Sequence, residues 1–176
     1  MKLHLGCGKK DFGRGWIHID GGDFPHLDSH DITKLEYESG SVDLIYACHV
    51  LEYFDREEVV DVLKEWCRVL RKDGILRVAV PDFEGLVRVY KESPYGLDHV
   101  LGPLFGRIKM GNIIYHKTVY DFRCLEWVLI EAGFGWVQYY DWQKTEHSHI
   151  EDFSSLYYPY KDTTGILISL NVEAVK

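Results

Sequence analysis

The sequence predicts an α/β fold with a mostly parallel sheet, and three observations predict it. Short apolar segments of strand length alternate with amphipathic segments of helix length, as in sheets whose parallel strands are joined by helices. Glycines directly follow the first apolar segment, and a polar loop instead of a helix separates the last two strand-like segments. Those last two strands can therefore pair antiparallel. The four segments predicted as buried strands are 2–5, 16–20, 42–47 and 75–80.

Three segments are predicted as helices. In the first, apolar residues recur at helical spacing between Val59 and Leu70, and Gly74 is the expected stop. The second is expected over 83–91, and the third follows Asp121 and ends at Gly133.

The C-terminal part of the chain predicts two further strands, over 136–142 and 166–175. We expect the last strand to lie antiparallel beside the segment 75–80. Only ten residues, 6–15, separate the first two strands. Since a parallel crossover usually needs a dozen or more residues, this one is predicted to be a loop with at most one helical turn.

Composition limits the classes of function. A length of 176 residues is typical of one domain, here 1–176. The net charge of −8 argues against a nucleic-acid binder, which needs a basic face. The apolar runs are too short to cross a bilayer and no signal peptide is recognisable, so we expect no membrane association. Four cysteines without a C-x-x-C pair favour a reducing, cytoplasmic location.

Two features point to a ligand at the ends of the first two strands. The first strand runs into Leu5-Gly6-Cys7-Gly8, where glycines allow a ligand to approach the backbone. The second strand ends in Asp20, whose carboxylate can accept hydrogen bonds from two ribose hydroxyls. Alone this pattern is weak, because short Gly-x-Gly turns also occur for steric reasons.

A series of motifs in order along the chain is more specific. It comprises His-Leu-Gly-Cys-Gly8, Gly-Trp-Ile-His-Ile-Asp20, His-Asp-Ile32, Ser-Val-Asp-Leu-Ile-Tyr-Ala-Cys-His-Val-Leu-Glu52, Trp-Cys-Arg-Val-Leu-Arg-Lys-Asp-Gly74, Leu-Arg-Val-Ala-Val-Pro-Asp82 and Leu-Glu-Trp-Val-Leu-Ile-Glu-Ala-Gly-Phe134. The series resembles class I S-adenosylmethionine-dependent methyltransferases, in particular small members with a trimmed first crossover. The resemblance implies a Rossmann-like sheet with helices on both faces and S-adenosyl-L-methionine as the cofactor.

The resemblance also implies which residues bind the cofactor. The glycine loop would lie against its methionine half, Asp20 would hold the ribose, the residues after 30 would lie beside the adenine, and the end of the strand 42–47 would face the methyl group. These positions are Gly6, Cys7, Gly8, Asp20, Gly21, Asp31, Ile32, Cys48 and His49. The chain departs from the family pattern in having Lys9-Lys10-Asp11 in place of a third glycine, and in lacking room for the first helix. Help from a helix dipole to the cofactor carboxylate is therefore in doubt.

Three residues are candidates for catalysis, each with a plainer alternative. His49 follows a strand next to the expected methyl site, where it could equally be a packing residue. Asp82 follows Pro81 at the ligand edge of the sheet but could be a helix N-cap. His116 precedes the third helix, from where it could reach the mouth of the pocket. Asp31 could likewise cap a helical turn.

Two C-terminal segments are also chemically suggestive. The segment 146–152 has two histidines and three acids, but a polar loop explains this composition without a metal, and we expect none. The aromatic segment 157–160 could shape a substrate rim or pack over the sheet edge.

The predicted function is methyl transfer from S-adenosylmethionine to a small-molecule or glycan-type acceptor. One alternative is a module or regulatory subunit that binds the cofactor without turnover, which the missing first helix keeps open. A nicotinamide-dependent oxidoreductase is disfavoured, because the third glycine and the helix that it opens are both missing.

Overall fold

The computed structural model describes residues 1–176, apart from the side chain of Met110. Its ten strands are β1 (Lys2–Leu5), β2 (Trp16–Ile19), β3 (Val42–Cys48), β4 (Leu70–Pro81), β5 (Ile108–Met110), β6 (Asn112–Ile114), β7 (Trp136–Tyr139), β8 (Tyr157–Tyr158), β9 (Ile166–Leu167) and β10 (Ser169–Val175). Six of them form the central sheet in the order β2-β1-β3-β4-β10-β7. The first four strands are parallel, and β10 is antiparallel to both β4 and β7. The predicted sheet, with its antiparallel strand beside the segment 75–80, is confirmed.

The helices are α1 (Val59–Val69), α2 (Phe83–Glu92), α3 (Asp98–Phe105) and α4 (Phe122–Glu131). Three short 3-10 helices lie at Leu51–Tyr53, Trp142–Lys144 and Phe153–Ser155. Asp82 and Asp121 cap α2 and α4, because their carboxylates accept backbone N–H groups of the first turns. None of the helices in the described residues is long and apolar enough to cross a membrane.

One face of the sheet carries the main apolar core. Strand residues that alternate along each strand point to this face, including Leu3, Leu5, Ile45, Val78 and Val172. Helices α1 and α4 cover it, and each fully buried leucine contributes roughly 1.5–3 kcal/mol to folding. The helix residues in this core include Leu63, Trp66, Leu125 and Leu129.

The opposite face carries aromatic and histidine side chains from both strands and loops. Residues 6–15 form turns and no helix, as predicted. Phe12 from this loop lies between two imidazoles, with ring centroids 3.9 Å from His4 and 4.6 Å from His147. Tyr46 belongs to the same cluster of rings, with its ring centroid 4.2 Å from that of His147. Phe12 and the loop 140–156 cover this part of the sheet, where the shortened first crossover provides no helix.

Two predicted element ends differ from the structure. Gly74 does not stop α1, which ends at Val69; it lies within β4, where the pairing with β3 shifts register. A side chain on Gly74 would come within 2.8 Å of the Arg71 carbonyl oxygen, so glycine is needed for this bulge. The predicted strand 166–175 is broken at Ile168, whose N–H bonds to Leu156 instead of to the central sheet.

The segment between α2 and α4 contains elements that the sequence did not predict. Helix α3 includes Pro103 and packs mainly against α2, and the β5–β6 hairpin is exposed along its described side chains. Neither contributes an apolar face to the main core, so neither has the periodic pattern on which sequence prediction depends.

Candidate active site

The carboxyl ends of β1–β4 meet at one edge of the sheet. Since β2 lies on one side of β1 and β3 on the other, the chain reverses its direction of winding between β1 and β3. Open α/β sheets bind ligands in the crevice at such a switch point. The edge brings together the glycine loop 6–8, Asp20, His49 and Asp82.

The glycine loop has a backbone that side chains would disturb. Gly6 has φ +64°, and a side chain there would collide with Val50. Gly8 has φ +54°, but a Cβ on it would meet no atom within 4 Å. The loop is thus held closely at Gly6 and borders open space at Gly8, as a ligand-binding loop requires.

Asp20 is largely buried and ties the loop to the turn after β2. Its two carboxylate oxygens accept the N–H groups of Gly8 at 2.8 Å and of Gly22 at 2.7 Å. The sequence suggests a side chain that faces the ligand freely. In the structure only 9% of the residue is exposed. Each oxygen keeps a further lone pair, so hydroxyl donors can still be accepted.

The predicted adenine-side residues have local roles. Asp31 is exposed and caps its own turn, accepting hydrogen bonds from the Thr33 hydroxyl at 2.6 Å and from the Thr33 N–H at 2.8 Å. These bonds lower the pKa of Asp31. Ile32 is half-buried against the main core, and its carbonyl accepts the Trp66 indole N–H at 2.7 Å. Gly21 is exposed in the turn after Asp20.

Two cysteines lie near the edge, as predicted from the strand ends. Cys7 is buried in the glycine loop, and burial raises the pKa of its thiol to about 12. Cys48 ends β3, and burial raises the pKa of that thiol as well. All four cysteines are free.

His49 follows β3 in a conformation that is unusual for a residue other than glycine. Its φ is +54°, and such backbone strain concentrates at functional sites. The Nε2 atom lies 3.3 Å from Ser169 Oγ, and Phe153 contacts the ring at 5.2 Å. Burial lowers the pKa of His49 to about 3, so its imidazole is neutral at pH 7.

Glu52 is a site residue that the sequence analysis missed. Its side chain is fully buried, and neither carboxyl oxygen has a hydrogen-bond partner. Oε1 lies 3.4 Å from His49 Nδ1 and 3.8 Å from His116 Nε2. Burial raises the pKa of Glu52 to about 8. The available sequence signal is one acid within the otherwise apolar or aromatic run 50–54.

His116 is placed differently from the prediction. Its imidazole is buried, with Nδ1 3.3 Å from the Leu104 carbonyl oxygen and Nε2 3.2 Å from the Tyr53 hydroxyl. It therefore lies behind His49, against Glu52, and not at the mouth of a pocket.

Asp82 combines both roles considered for it. It caps α2 through the Glu84 N–H at 3.1 Å, and it also lines a cavity of about 240 Å³ at the carboxyl edge. Burial raises the pKa of its carboxyl. The other lining residues come from β7, β8, β9, β10 and the segment after β7: Tyr139, Tyr140, Asp141, Trp142, Gln143, Tyr157, Leu167, Ser169, Leu170 and Asn171.

The acid- and histidine-rich loop 146–152 covers the sheet. Glu146 pairs with Lys2 at 2.7 Å and with Arg77 at 3.2 Å, while His147 belongs to the stack with Phe12. Within the described residues, no group of three or more His, Cys, Asp or Glu side chains is arranged to hold a metal ion.

Comparison with known proteins agrees with this geometry. Residues 17–78 match the family model of the methyltransferase domain. Curated protein sequences give no match. A SAM-dependent methyltransferase from Archaeoglobus fulgidus is similar in fold with a TM-score of 0.58 and 14% identity, over 99% of this chain and 85% of that one.

Two further solved structures are similar over 99% of this chain. The 1,6-didemethyltoxoflavin-N1-methyltransferase of Burkholderia thailandensis, solved with that compound and S-adenosylhomocysteine, has a TM-score of 0.57 and 13% identity over 70% of its chain. A structure from Haloferax volcanii of a methyltransferase with its Trm112 activator has a TM-score of 0.55 and 16% identity over 80% of the matched chain.

With one antiparallel strand in a mostly parallel sheet, the chain has the Rossmann-like fold of class I methyltransferases. The methyltransferase domain match over residues 17–78 and the similar solved structures bear out the predicted methyltransferase activity and S-adenosylmethionine as its cofactor.

Proposed function

We propose that the protein transfers a methyl group from S-adenosylmethionine to a small, glycan-type acceptor bound in the cavity beside Asp82. The observation that carries this proposal is the position of the cavity. It opens at the carboxyl edge, and Ser169 in its wall contacts His49. Its volume of about 240 Å³ lies slightly below the range of drug-sized pockets, roughly 300–1,000 Å³, which favours a ligand of one or two rings.

The chemistry of the wall supports a polyhydroxylated acceptor. Tyr139, Trp142 and Tyr157 offer aromatic surface on which an apolar ring face can pack. Asp82 and Asp141 offer carboxylate oxygens that accept hydroxyl hydrogen bonds. Aromatic faces alternating with hydrogen-bond acceptors suit a sugar-like ring better than a purely apolar substrate.

The glycine loop 6–8 and Asp20 fit the cofactor. The open space before Gly8 admits a ligand close to the backbone, and Asp20 retains lone pairs for ribose hydroxyls. We assign Gly6, Cys7, Gly8, Asp20 and Gly21 to this half of the site. When bound, S-adenosylmethionine supplies a methyl group on a sulfonium centre.

At the remaining positions we assign Cys48 and His49 to the methyl end and Asp31 with Ile32 to the adenine end. For Asp31, the assignment involves its backbone and turn, since its carboxylate is engaged with Thr33. The protein's part in the reaction is to orient the acceptor and to exclude water. We assign the acceptor proton to His49, on the basis of its contact with Ser169 in the cavity wall.

A binding module without turnover is the second candidate. The observation that favours it is the first crossover, in which turns replace the helix whose N-terminus could assist the cofactor carboxylate. This candidate predicts tight binding of S-adenosylmethionine without methyl transfer to any acceptor.

Calorimetry with S-adenosylmethionine, S-adenosylhomocysteine and NAD tests the cofactor step first. Transfer of a labelled methyl group to a panel of methyl glycosides and small phenols then tests the acceptor. We expect activity with glycosides and a loss of at least 10-fold in kcat/KM for Trp142→Ala. The matched control is Trp136→Ala, an exposed tryptophan at the other end of β7, which should be neutral. Transfer to phenols alone would contradict the glycan-type acceptor.

A further inference from the structure

The hydrogen bonds on the cavity side determine which nitrogen of His49 carries a proton. Asn171 donates its Nδ2 to the Ser154 carbonyl at 2.8 Å, which fixes the orientation of the amide. Its Oδ1 then accepts the Ser169 hydroxyl at 3.1 Å. Because the Ser169 hydrogen is used in this bond, His49 Nε2 must donate to Ser169 Oγ across their 3.3 Å contact. The neutral imidazole therefore has its lone pair on Nδ1.

The same reasoning applies to the second imidazole. His116 Nδ1 faces the Leu104 carbonyl oxygen, which can only accept, so Nδ1 carries the proton. Nε2 is then the acceptor for the Tyr53 hydroxyl. Glu52 Oε1 thus faces a lone pair on His49 Nδ1 at 3.4 Å and another on His116 Nε2 at 3.8 Å.

An ionised carboxylate in this position would have no side-chain donor. Glu52 is fully buried, and both of its oxygens lack partners. A buried carboxylate without hydrogen bonds is strongly unfavourable, whereas a carboxylic acid supplies the hydrogen that the neighbouring lone pair lacks. Burial raises the pKa of Glu52 to about 8, in the direction that the geometry requires.

The other titratable groups near the carboxyl do not compensate its charge. They are Cys48, Tyr53 and Tyr120, and burial raises the pKa of each, so that they are neutral at pH 7. Their neutrality leaves the two imidazoles as the groups that respond to Glu52.

We propose that Glu52 is a positioning residue whose protonation decides whether His49 Nε2 donates or accepts at the wall of the acceptor cavity. With Glu52 protonated, its hydroxyl donates to Nδ1 and Nε2–H points toward Ser169. When the pair loses one proton, the carboxyl hydrogen passes to Nδ1, the Nε2 hydrogen leaves to solvent, and the carboxylate accepts from Nδ1–H. Nε2 then has a lone pair that faces Ser169, whose side chain belongs to the cavity wall.

This lone pair is what a hydroxyl acceptor needs. As the oxygen forms its bond to the methyl carbon, the carbon–sulfur bond of the sulfonium would break and leave its electron pair on sulfur. The acceptor hydrogen would pass to Ser169 Oγ while the Ser169 hydrogen passes to Nε2 across their 3.3 Å contact, and the electron pair of the O–H bond would stay on the acceptor oxygen. The imidazolium that results is stabilised by the adjacent Glu52 carboxylate and later returns its proton to water. This inference rests on the acceptor site of the proposed function and names the groups that activate the acceptor there.

Nuclear magnetic resonance of the full chain tests the switch without an acceptor. Histidine ring nitrogens labelled with 15N report the tautomer, and glutamate carboxyl carbons labelled with 13C report ionisation, over pH 5.5–9.5. We expect one glutamate to titrate at least two pH units above the others. In the same pH range, His49, assigned with a His49→Asn variant, should change from the Nε2–H to the Nδ1–H tautomer.

Glu52→Gln is the matched variant, since its amide can donate to Nδ1 but cannot ionise. It should hold His49 in the Nε2–H tautomer throughout, whereas Glu57→Gln, at an exposed residue of the turn before α1, should titrate like the parent. The proposal is overturned if Glu52 is already ionised at pH 6, or if the tautomer does not follow its titration. If Glu52→Gln does not fold, the parent titration alone decides. Failure of the parent to bind S-adenosylhomocysteine would instead contradict the proposed function and leave this titration unchanged.

Discussion

The carboxylate of Asp20 accepts the backbone N–H of Gly8 at 2.8 Å, which joins the end of β2 to the glycine loop after β1. One side chain thus shapes the loop, and its remaining lone pairs are the ones that we assign to the cofactor ribose. Hydrogen bonds to a charged acceptor contribute roughly 1.5–3 kcal/mol. We predict that Asp20→Ala weakens S-adenosylhomocysteine binding on the order of 10- to 150-fold in calorimetry.

Asp20→Asn separates the charge from the shape. The amide keeps one acceptor oxygen but places a donor opposite a backbone N–H or a hydroxyl, so the loss should be nearly as large. Asp23→Asn, three residues along in an exposed position, is the control and should bind like the parent. Parent-like affinity in a folded Asp20→Ala protein would exclude the ribose assignment.

Thiol labelling tests the placement of the cysteines. Cys124 is exposed, whereas Cys7 is buried and its thiol has a pKa of about 12. Because the thiolate is the reactive form, we predict that iodoacetamide at pH 8 labels Cys124 first and Cys7 and Cys48 much more slowly. Mass spectrometry of the peptides measures the three rates.

Saturating S-adenosylhomocysteine should slow the labelling of Cys7 and Cys48 further, and leave Cys124 as its internal control. Equal rates at Cys7 and Cys48 with and without this ligand would argue against their position at the cofactor edge.

The strands and α1 could be predicted from the sequence, whereas the bulge in β4 and the loops that cover the sheet could not. The strands and α1 depend on apolar periodicity, which is a local property, so their existence and order were predictable. The sequence predicts a helix stop at Gly74, whereas the bulge found there depends on pairing with β3, about 30 residues away in the chain. The sequence indicates only a polar loop around His147, since the burial of this residue depends on Phe12 from the other end of the chain.

The same distinction separates the residues of the candidate site that the sequence predicts from those that it does not. Asp20 and the glycine loop follow strands directly, so the sequence places them at the edge. Glu52 becomes unusual only through its burial between His49 and His116, and the latter comes from a segment beyond α3. No spacing pattern encodes that juxtaposition.

The third prediction concerns Phe12, which covers the sheet where the first crossover has no helix. It belongs to the loop layer, which consists of the loops 6–15 and 140–156. Its ring stacks on His4 and His147 and also lies 5.2 Å from Trp16. Truncation of buried phenylalanine costs about 3–5 kcal/mol, and Phe12 is half-buried, so we predict a loss of about 2 kcal/mol for Phe12→Ala. In thermal unfolding this corresponds to about 4–8 °C for a chain of this size.

Phe105→Ala removes the same side chain from an exposed position at the end of α3 and should change stability by less than about 0.5 kcal/mol. Equal effects of the two substitutions would mean that the loop layer does not stabilise the sheet.

The fourth prediction concerns stability in acid and the two buried histidines that stack on Phe12, His4 and His147. Burial, followed by the nearby histidines, lowers the pKa of His4 to about 2; burial lowers that of His147 to about 4. In the unfolded chain both protonate near pH 6.5. The unfolded state therefore binds more protons below this pH, so the free energy of unfolding falls as the pH decreases from about 6.5 toward 4.

Each such histidine contributes up to about 1.4 kcal/mol per pH unit to this slope. His147→Phe keeps an aromatic ring against Phe12 but cannot take up a proton. We predict that urea unfolding of this variant between pH 6.5 and 4.5 loses up to about 1.4 kcal/mol per pH unit less than the parent. His149→Phe, at an exposed position two residues further, should leave the parent slope unchanged. If the His147→Phe slope equals that of the parent, the imidazole is already protonated in the folded protein, and the loop layer must then open to water well above pH 4.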